Sequence, residues 1–310
     1  MLKSINVTLV PAPIPYEGAT QAVGIYPDTT HMIGFEFDGT ACFRKGAKFG
    51  PNALRAVADG IESYSPYLEA DLDDVSFIDL GNLAIDLSIN ISSAPSDIEK
   101  AYDDGNNSFN TLFGDVSLNT SNVRIMTLGG EHSISYAPIV KYLVDFPNLV
   151  VLHLDAHADL RDGYLGYHHS HAAIIRRISE HFGEHNQLLQ YGIRSGTKDE
   201  YDWMKQQGTL KISRDEFLAA VDAIPQDTPI YLTLDLDYFD PSFLPGTGTP
   251  EPGGEDFHSF VSLCKILKNK HFVGCDVVEL SPEIDSTGNS DVFAAKVVRE
   301  LLLCLEPRSL

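Results

Sequence analysis

Carboxylate and imidazole side chains alternate in the segment VVLHLDAHADLR, residues 150–161. Asp155, His157 and Asp159 stand at every second position directly after an apolar run that is typical of a buried parallel strand. Three such groups so close together would be costly to desolvate unless a cation neutralised them. An exposed acidic loop with a solvated histidine is the alternative. Because reactive groups gather beyond the carboxyl ends of such strands, we favour a metal site.

Three further predicted strands end in groups of the same kinds. Asp235 and Asp237 close the strand 230–236 and share one of its faces, because side chains alternate along a strand. His132 follows another strand and a Gly-Gly pair at a strand-to-helix turn, and Glu279 follows the last strand. The strand ends thus offer six side chains of metal-ligand type, which are Asp155, Asp159, Asp235, Asp237, His132 and His157.

The charge of this cluster indicates how many cations it holds. Two divalent cations balance four carboxylates, whereas one would leave the cluster about two charges too negative. We therefore predict a binuclear site in which one or two aspartates bridge. Mixed carboxylate and imidazole ligation suits Mn²⁺, and Ni²⁺, Co²⁺ or Zn²⁺ are also compatible. Two metals about 3.5–4 Å apart can hold a hydroxide at neutral pH, which predicts a hydrolase.

The elements that must position these groups alternate between strand and helix. Apolar runs predict strands at 32–37, 75–80, 123–128, 149–154, 187–195, 230–236 and 272–278. Amphipathic segments and helix-start signals predict helical segments at 51–60, 97–112, 134–143, 199–205, 213–221 and 290–305, with another after residue 171. This alternation predicts the α/β class with a single parallel sheet.

Composition limits the partners. The chain has 310 residues and a formal net charge of -22. A surface this acidic repels nucleic acid and anionic membranes and favours cationic ligands, although it could also serve solubility alone. We expect no nucleic-acid or membrane partner. No long apolar segment opens the chain, so we expect neither a secretory signal nor a membrane span.

The cysteines indicate the compartment. Cys42, Cys264, Cys275 and Cys304 lie far apart and form no C-x-x-C pair. We expect reduced thiols in a cytoplasmic protein, not a disulfide framework. No linker or repeat divides the chain. We therefore expect a single domain over residues 1–310, in which residues 1–30 form an N-terminal extension on the surface.

Several motifs together resemble one family. GGEHS, DAHAD, DLDYFDPSFLPGTGTPEPGG and VVELSP occur in this order, accompanied by DGTACFRKGAKFGPNALR and YGIRSG. From about residue 32 onward the chain is similar to the arginase/agmatinase (ureohydrolase) family. The resemblance implies a three-layer α/β/α fold with a central, mainly parallel sheet and a dinuclear manganese site. It also implies a homotrimer or homohexamer.

The resemblance assigns roles by motif. One metal would take His132, Asp155, Asp159 and Asp235. The other would take Asp155, His157, Asp235 and Asp237, so that Asp155 and Asp235 bridge. Asp159 would also align the attacking hydroxide, and Glu279 would hold the substrate guanidinium. His171, in the SHA segment, matches a proton-shuttling histidine, and Thr249 is expected beside the substrate. By contrast, His153 inside its strand is expected to be a hydrogen-bonded core residue.

The substrate implied is a small cationic guanidine, and agmatine fits better than arginine. Arginases typically have an acid three positions beyond the conserved Arg194, where this chain has Thr197. The predicted reaction therefore converts agmatine to putrescine and urea. Alternatives within the family are arginase, guanidinobutyrase or guanidinopropionase, and formiminoglutamase. A mononuclear zinc deacetylase and a non-catalytic metal-binding protein are the alternatives from other classes.

Two departures from the family pattern bear on the structure. Glu131 replaces an aspartate that many members have before the metal-binding histidine. Lys45 and Ala47 replace the proline and small hydroxyl residue that are common in the R-x-G-x-x-F-G-P segment, where they would affect the rigidity of the loop.

Overall fold

The computed structural model describes residues 1–4, 9–22, 24–90 and 92–305. The strands are β1 (Lys3–Ser4), β2 (Leu9–Val10), β3 (Thr20–Gln21), β4 (Gly24–Ile25), β5 (Thr29–Phe35), β6 (Tyr64–Ser65), β7 (Ala70–Asp71), β8 (Phe77–Leu83), β9 (Val123–Gly129), β10 (Val150–Leu154), β11 (Gln187–Tyr191), β12 (Leu210–Lys211), β13 (Pro229–Asp235) and β14 (His271–Val278). The helices are α1 (Gly50–Ala58), α2 (Pro95–Phe113), α3 (Tyr136–Asp145), α4 (Ile174–Ser179), α5 (Lys198–Gln207), α6 (Arg214–Asp222), α7 (Phe257–Leu267) and α8 (Asn289–Cys304).

One large sheet organises the chain. Within the described residues it has ten strands, in the order β12-β11-β10-β13-β14-β9-β5-β8-β2, and β3 also pairs with β8. Its pairings are parallel except that of β2 with β8. Because the central strands are parallel, their carboxyl ends meet at one edge of the sheet.

Helices cover both faces of this sheet. One apolar cluster joins the sheet to α1, α6, α7 and α8, and a second joins it to α2, α3, α4 and α5. Along β10, Val150, Leu152 and Leu154 belong to the first cluster and Val151 to the second, as the two-residue period of a strand requires. The predicted three-layer α/β/α fold with a central, mainly parallel sheet is confirmed.

Most predicted elements are present with shifted ends. The strand predicted at 187–195 ends at Tyr191, because Gly192 turns the chain with a φ of 95°. The helix predicted to begin near residue 97 begins at Pro95. The helix predicted at 199–205 extends over α5, where Thr197 and Glu200 form a capping box.

The N-terminal segment is partly built into the fold. Residues 5–8 and 23 of the expected extension lie outside the described residues. Tyr16 is buried, its N–H donates to Asp79 and its hydroxyl donates to the carbonyl of Ala295. Since β2 and β3 also pair with β8, parts of this segment pack into the protein instead of lying across its surface.

Within residues 1–4, 9–22, 24–90 and 92–305, no helix combines the length and apolar character that crossing a bilayer requires.

Candidate metal centre and active-site cavity

The parallel strands bring the predicted ligands to one edge of the sheet. β10 and β13 are neighbours and stay in register to the end of β10. Asp155 and Asp235 therefore leave adjacent strands at nearly the same level. β14 lies on the other side of β13 and leads directly into Glu279. β9, next to β14, ends at Gly129 and leads through Gly130 and Glu131 to His132.

Three aspartates surround one ring nitrogen of His132. Its Nδ1 lies 3.0 Å from Oδ2 of Asp155, 3.1 Å from Oδ2 of Asp159 and 3.5 Å from Oδ2 of Asp235. This buried nitrogen forms a hydrogen bond with none of the residues that the structure describes. The other nitrogen, Nε2, lies 2.8 Å from the Thr233 hydroxyl. A proton on Nε2 leaves the Nδ1 lone pair facing the three carboxylates, as a metal ligand requires.

His157 belongs to a second group. Its Nδ1 lies 2.9 Å from Oδ2 of Asp237 and 3.5 Å from Oδ1 of Asp155. Asp155 therefore presents Oδ2 to His132 and Oδ1 to His157. The two oxygens of this one carboxylate face two separate imidazoles, which is the geometry of a ligand shared between two metal positions.

The six predicted ligands are not equally close to one another. The ligand atoms lie within 4.8 Å in each of two groups, His132, His153, Asp155 and Asp159 in the first and Asp155, His157 and Asp237 in the second. Asp235 belongs to neither compact group. Its Oδ2 lies 3.5 Å from Nδ1 of His132, and its Oδ1 accepts from the N–H of Asp237. The predicted ligand sets and both bridges remain predictions.

The electrostatics of the cluster favour bound cations. Burial, and after it the charges of Asp237 and Asp155, raise the pKa of Asp235 well above its ordinary range. Burial and the charge of Asp155 raise the pKa of Asp159 to about 7. Positive charge placed between these carboxylates would therefore favour their ionised forms. Together with the free Nδ1 lone pair of His132, this oxygen-rich donor set fits divalent cations.

Glu279 lies beside the cluster in a constrained backbone conformation. Its φ is 68°, and a non-glycine residue in this region costs on the order of 1–3 kcal/mol. The N–H of Glu279 donates to the carbonyl of Gly130, and its Oε1 accepts from the N–H of His132 at 2.9 Å. At Gly130 a Cβ would lie 1.8 Å from the carbonyl oxygen of Phe37, so only glycine fits.

The Glu279 carboxyl is poised to receive a cation. Burial, followed by the charge of Glu131, raises the pKa of Glu279 well above its ordinary range. A guanidinium placed next to this carboxyl would stabilise the ionised form and reverse that shift. The side chain lines the same cavity as the aspartate and histidine groups, so a substrate bound there would lie next to them.

His171 lines the same cavity and is held by Thr40. The Thr40 hydroxyl donates to Glu131, and it lies 3.2 Å from Nδ1 of His171. The N–H of His171 also donates to this hydroxyl. Burial lowers the pKa of His171 to about 4.

The cavity between these groups has a volume of about 250 Å³. That volume suits a small molecule of a few heavy atoms in length. It contains the predicted residues His171, Glu279 and Thr249, and Thr249 donates to Oδ2 of Asp237 at 3.3 Å. The cavity is also lined by residues that the sequence analysis did not assign to the site, including Cys42, Arg161, Tyr164, Ser195 and Glu200.

Two arginines fix the Gly- and Pro-rich loop 243–254. Arg44 donates to the carbonyls of Thr247 and Gly248. Arg194 donates to the carbonyls of Asp237 and Glu251, which joins the loop to the metal-ligand segment. These hydrogen bonds explain how a glycine-rich segment holds one shape.

Lys45 replaces a rigid proline with hydrogen bonds. Its Nζ donates to the carbonyl of Asp38 at 2.9 Å and to that of Gly39 at 2.6 Å. The Asp38 carboxylate in turn accepts from the N–H of Gly46. These contacts close the segment 38–46 on itself, so the departure from the family pattern leaves the loop constrained.

Some functional residues escaped the sequence reasoning. Thr40, Arg161 and Tyr164 are single polar residues in loops, where no periodicity marks them. Thr40 could have been found from its place inside the DGTACFRKGAKFGPNALR motif. The expectation that His153 is a hydrogen-bonded core residue is confirmed, since it is fully buried and bonded at both ring nitrogens.

Comparisons with known proteins agree on the family. The arginase family model matches residues 28–304. An agmatinase of Bacillus subtilis is 36% identical over 277 residues, which cover 88% of this chain and 90% of the relative. A solved structure from Clostridium difficile has a TM-score of 0.78 and 36% identity, covering 90% of this chain and 98% of the other. Agmatine ureohydrolase of Thermoplasma volcanium gives a TM-score of 0.72 and 26% identity, covering 99% and 95%.

The chain belongs to the arginase family. It is a hydrolase of the ureohydrolase type. Members of this family depend on a binuclear metal centre, and the cluster around Asp155 supplies the buried histidine and aspartate groups for one.

Proposed function

We propose that this protein hydrolyses agmatine to putrescine and urea. One observation carries the proposal. The buried Glu279 carboxyl lines the same cavity as two histidine–aspartate groups, and these two groups share Asp155. A guanidinium needs an anionic partner and an activated water on one face of its carbon, and this arrangement offers a place for both. The similarity to agmatinases over most of the chain supports the choice of guanidine.

Two Mn²⁺ ions are the proposed cofactors, with Ni²⁺, Co²⁺ or Zn²⁺ as possible substitutes. His132, Asp155, Asp159 and Asp235 would hold one ion, and Asp155, His157, Asp235 and Asp237 the other. When bound, the ions supply Lewis acidity that lowers the pKa of water and neutralises developing negative charge.

The protein's own residues bind and orient the substrate. The substrate guanidinium pairs with the buried carboxylate of Glu279. This pairing places the planar guanidinium carbon over the aspartate cluster. Asp159 accepts a hydrogen bond from the attacking water and aligns it. Thr249, which is bonded to Asp237, lies beside the substrate. Water adds to the guanidinium carbon, and the bond from this carbon to the alkyl-bearing nitrogen then breaks.

His171 is the proposed proton carrier. The leaving nitrogen must be protonated, because an amide anion is a very poor leaving group. His171 lines the cavity, and its Nδ1 contact with Thr40 leaves Nε2 available on the cavity side. A proton taken from the water and passed to the amine nitrogen releases putrescine and leaves urea.

Arg161 supports a second candidate substrate. It lines the cavity, stacks over the Tyr164 ring at 4.7 Å and forms no ion pair with any residue that the structure describes. A free cation in the wall favours a guanidine whose far end is anionic, such as guanidinobutyrate, over one that ends in an ammonium. Arginine is less favoured, because Ser195 and Thr197 carry no carboxylate for its amino group, and the Glu200 carboxylate already accepts from the N–H groups of Leu160 and Thr197.

Other aspects of the proposal rest on the family resemblance and on composition. We propose a homotrimer or homohexamer that acts in the cytoplasm, with residues 1–310 as one catalytic domain. The four cysteines are unpaired, which suits a reducing compartment. A mononuclear zinc deacetylase would need only one of the two groups of ligand atoms, and a non-catalytic metal-binding protein would not need Glu279 in the same cavity.

The test is a product assay. The protein is loaded with Mn²⁺ and incubated in parallel with agmatine, arginine and guanidinobutyrate, and urea and the released amine are quantified. Equal amounts of urea and putrescine from agmatine, at the highest kcat/KM of the three, support the proposal. A preference for guanidinobutyrate moves the assignment to the second candidate, and release of urea from none of them contradicts both.

A further inference from the structure

A row of polar side chains crosses the sheet below the metal-ligand cluster. Strand register aligns Gln190 with His153, His153 with Thr233, Thr233 with Asp276, and Asp276 with Thr127. All five side chains are fully buried. A polar group in the middle of a sheet core is costly unless it is hydrogen-bonded, so the row calls for an explanation. We call these five residues the polar row.

Two members of the polar row lie directly below predicted metal ligands. His153 precedes Asp155 by two residues, and Thr233 precedes Asp235 by two, so each points to the same face as the ligand above it. The Nε2 atom of His153 lies 2.8 Å from Oδ2 of Asp155. Thr233 Oγ1 lies 2.8 Å from Nε2 of His132. The row therefore touches the cluster at two different ligands.

The hydrogen bonds around Gln190 determine which nitrogen of His153 carries the proton. The Gln190 amide nitrogen lies 3.1 Å from Nδ1 of His153 and 3.5 Å from the carbonyl of Ala158. The Thr209 hydroxyl donates to the Gln190 amide oxygen at 2.7 Å. A carbonyl can only accept, so the amide nitrogen must be the group that faces Ala158 and His153. Nδ1 of His153 then accepts, and Nε2 carries the proton and donates to Asp155.

The hydrogen bonds of Thr233 determine the tautomer of His132 in the same way. Thr233 Oγ1 donates its single proton to Oδ1 of Asp276 at 2.7 Å, and Tyr231 donates to the other oxygen of Asp276 at 2.8 Å. Having given its proton to Asp276, the Thr233 hydroxyl must accept from Nε2 of His132. That leaves the Nδ1 lone pair of His132 turned toward the aspartates.

We propose that the polar row positions the metal centre from below, with His153 acting as a hydrogen-bond donor to Asp155 and not as a metal ligand. Thr233 and Asp276 hold His132 in the tautomer that can bind metal. The inference rests on the proposed metal centre but not on which guanidine is the substrate. His153 belongs to a compact His/Asp group and would otherwise be taken for a ligand. The direction of its hydrogen bonds excludes that reading, because a nitrogen that carries a proton has no lone pair for a metal.

The test measures binding of Mn²⁺ alone to metal-free protein by calorimetry, without substrate. His153→Gln keeps an N–H donor near the Nε2 position, whereas His153→Leu removes it. Loss of an outer hydrogen bond to a ligand typically weakens metal binding about tenfold to a hundredfold. Because Asp155 is shared by the two metal positions, we expect His153→Leu to lose that much Mn²⁺ affinity, and His153→Gln to stay within a few-fold of wild type. If His153 were itself a metal ligand, both variants would lose Mn²⁺ affinity to the same extent, and that result overturns the proposal.

Variants of Thr233 provide an independent test if the His153→Leu protein does not fold. Thr233→Ser keeps the hydroxyl and should bind two Mn²⁺ as wild type does, whereas Thr233→Val should weaken the site at His132. Thr127→Val is the matched control, because Thr127 ends the same row and its hydroxyl forms no hydrogen bond with any described residue. Unchanged Mn²⁺ affinity in both His153→Leu and Thr233→Val overturns the proposal. If wild type binds two ions but releases no urea, only the proposed function fails.

Discussion

The main-chain N–H of His132 donates a hydrogen bond to Oε1 of Glu279, 2.9 Å away. This contact joins the residue proposed to hold the guanidinium to a residue proposed to hold metal. It occupies one carboxylate oxygen and leaves the other, Oε2, for the substrate. Because the donor is the backbone N–H, the bond survives substitution of the His132 side chain, and a glutamine at position 279 would still supply an acceptor oxygen. The two roles can therefore be separated by mutation.

The first prediction concerns Glu279→Gln. The amide oxygen can still accept from His132, so the fold and the metal content should remain, but the charge that pairs with a guanidinium is lost. We expect kcat/KM to fall by roughly a hundredfold or more, since a buried charge-assisted contact is removed. Urea release and metal content are measured on the same sample. Glu283→Gln, an exposed acid in the following turn, is the control and should behave as wild type.

The second prediction concerns Asp235→Ala. If Asp235 bridges two ions, its removal should abolish activity and metal retention together, because both sites lose a ligand. Elemental analysis after dialysis and the urea assay report the two effects. The exposed Asp227→Ala is the control. An Asp235→Ala protein that stays active with two metals would refute the bridging assignment.

The third prediction concerns Thr40, which touches His171 but none of the predicted ligands. Thr40→Val removes the hydroxyl that orients the ring, and we expect kcat to fall about tenfold with little change in KM or metal content. Thr40→Ser keeps the hydroxyl and should recover most of the rate. Equal losses in the two variants would indicate a packing effect instead of orientation of His171.

The fourth prediction is a pH dependence at Asp240, which anchors the loop 243–254. Hydrogen bonds from Ser242, followed by those from the N–H groups of Gly253 and Gly254, lower the pKa of Asp240 to about 2. The ordinary aspartate value is about 3.9, so this contact stabilises the fold above about pH 4 and loses its effect as the pH falls toward 2.

Thermal unfolding of wild type and Asp240→Asn between pH 2.5 and 5 tests this dependence. The asparagine can still accept hydrogen bonds but does not titrate, so the difference in Tm between the two proteins should shrink as the pH falls. A difference that stays constant over this range would show that ionisation of Asp240 does not stabilise the loop.

The sequence predicted the parts of the fold that local patterns determine. Apolar runs such as Val150–Leu154 are buried on both faces, so their strand character is visible without tertiary information. Element ends were less predictable. β11 stops at a positive-φ glycine, and β2 and β3 are two-residue strands whose pairing with β8 depends on contacts far away in sequence.

The candidate site was predictable where it follows strand ends and unpredictable where it depends on loops. Asp155 and Asp235 could be placed together because parallel strands in one sheet end at one edge. Nothing local indicates that Thr40 reaches His171, which is 131 residues away. Nor does it indicate that Arg161 faces the cavity without an ion pair to any described residue. The polar row also escaped detection, because it exists only when the register of four strand pairs is known.

The central claim is that two cations bind around Asp155. A crystal grown with Mn²⁺ and measured at the manganese absorption edge tests it most directly. The account predicts two anomalous peaks in each subunit, one beside Nδ1 of His132 and one beside Nδ1 of His157, with the Asp155 carboxylate between them. A single peak, or peaks away from these two nitrogens, would contradict it.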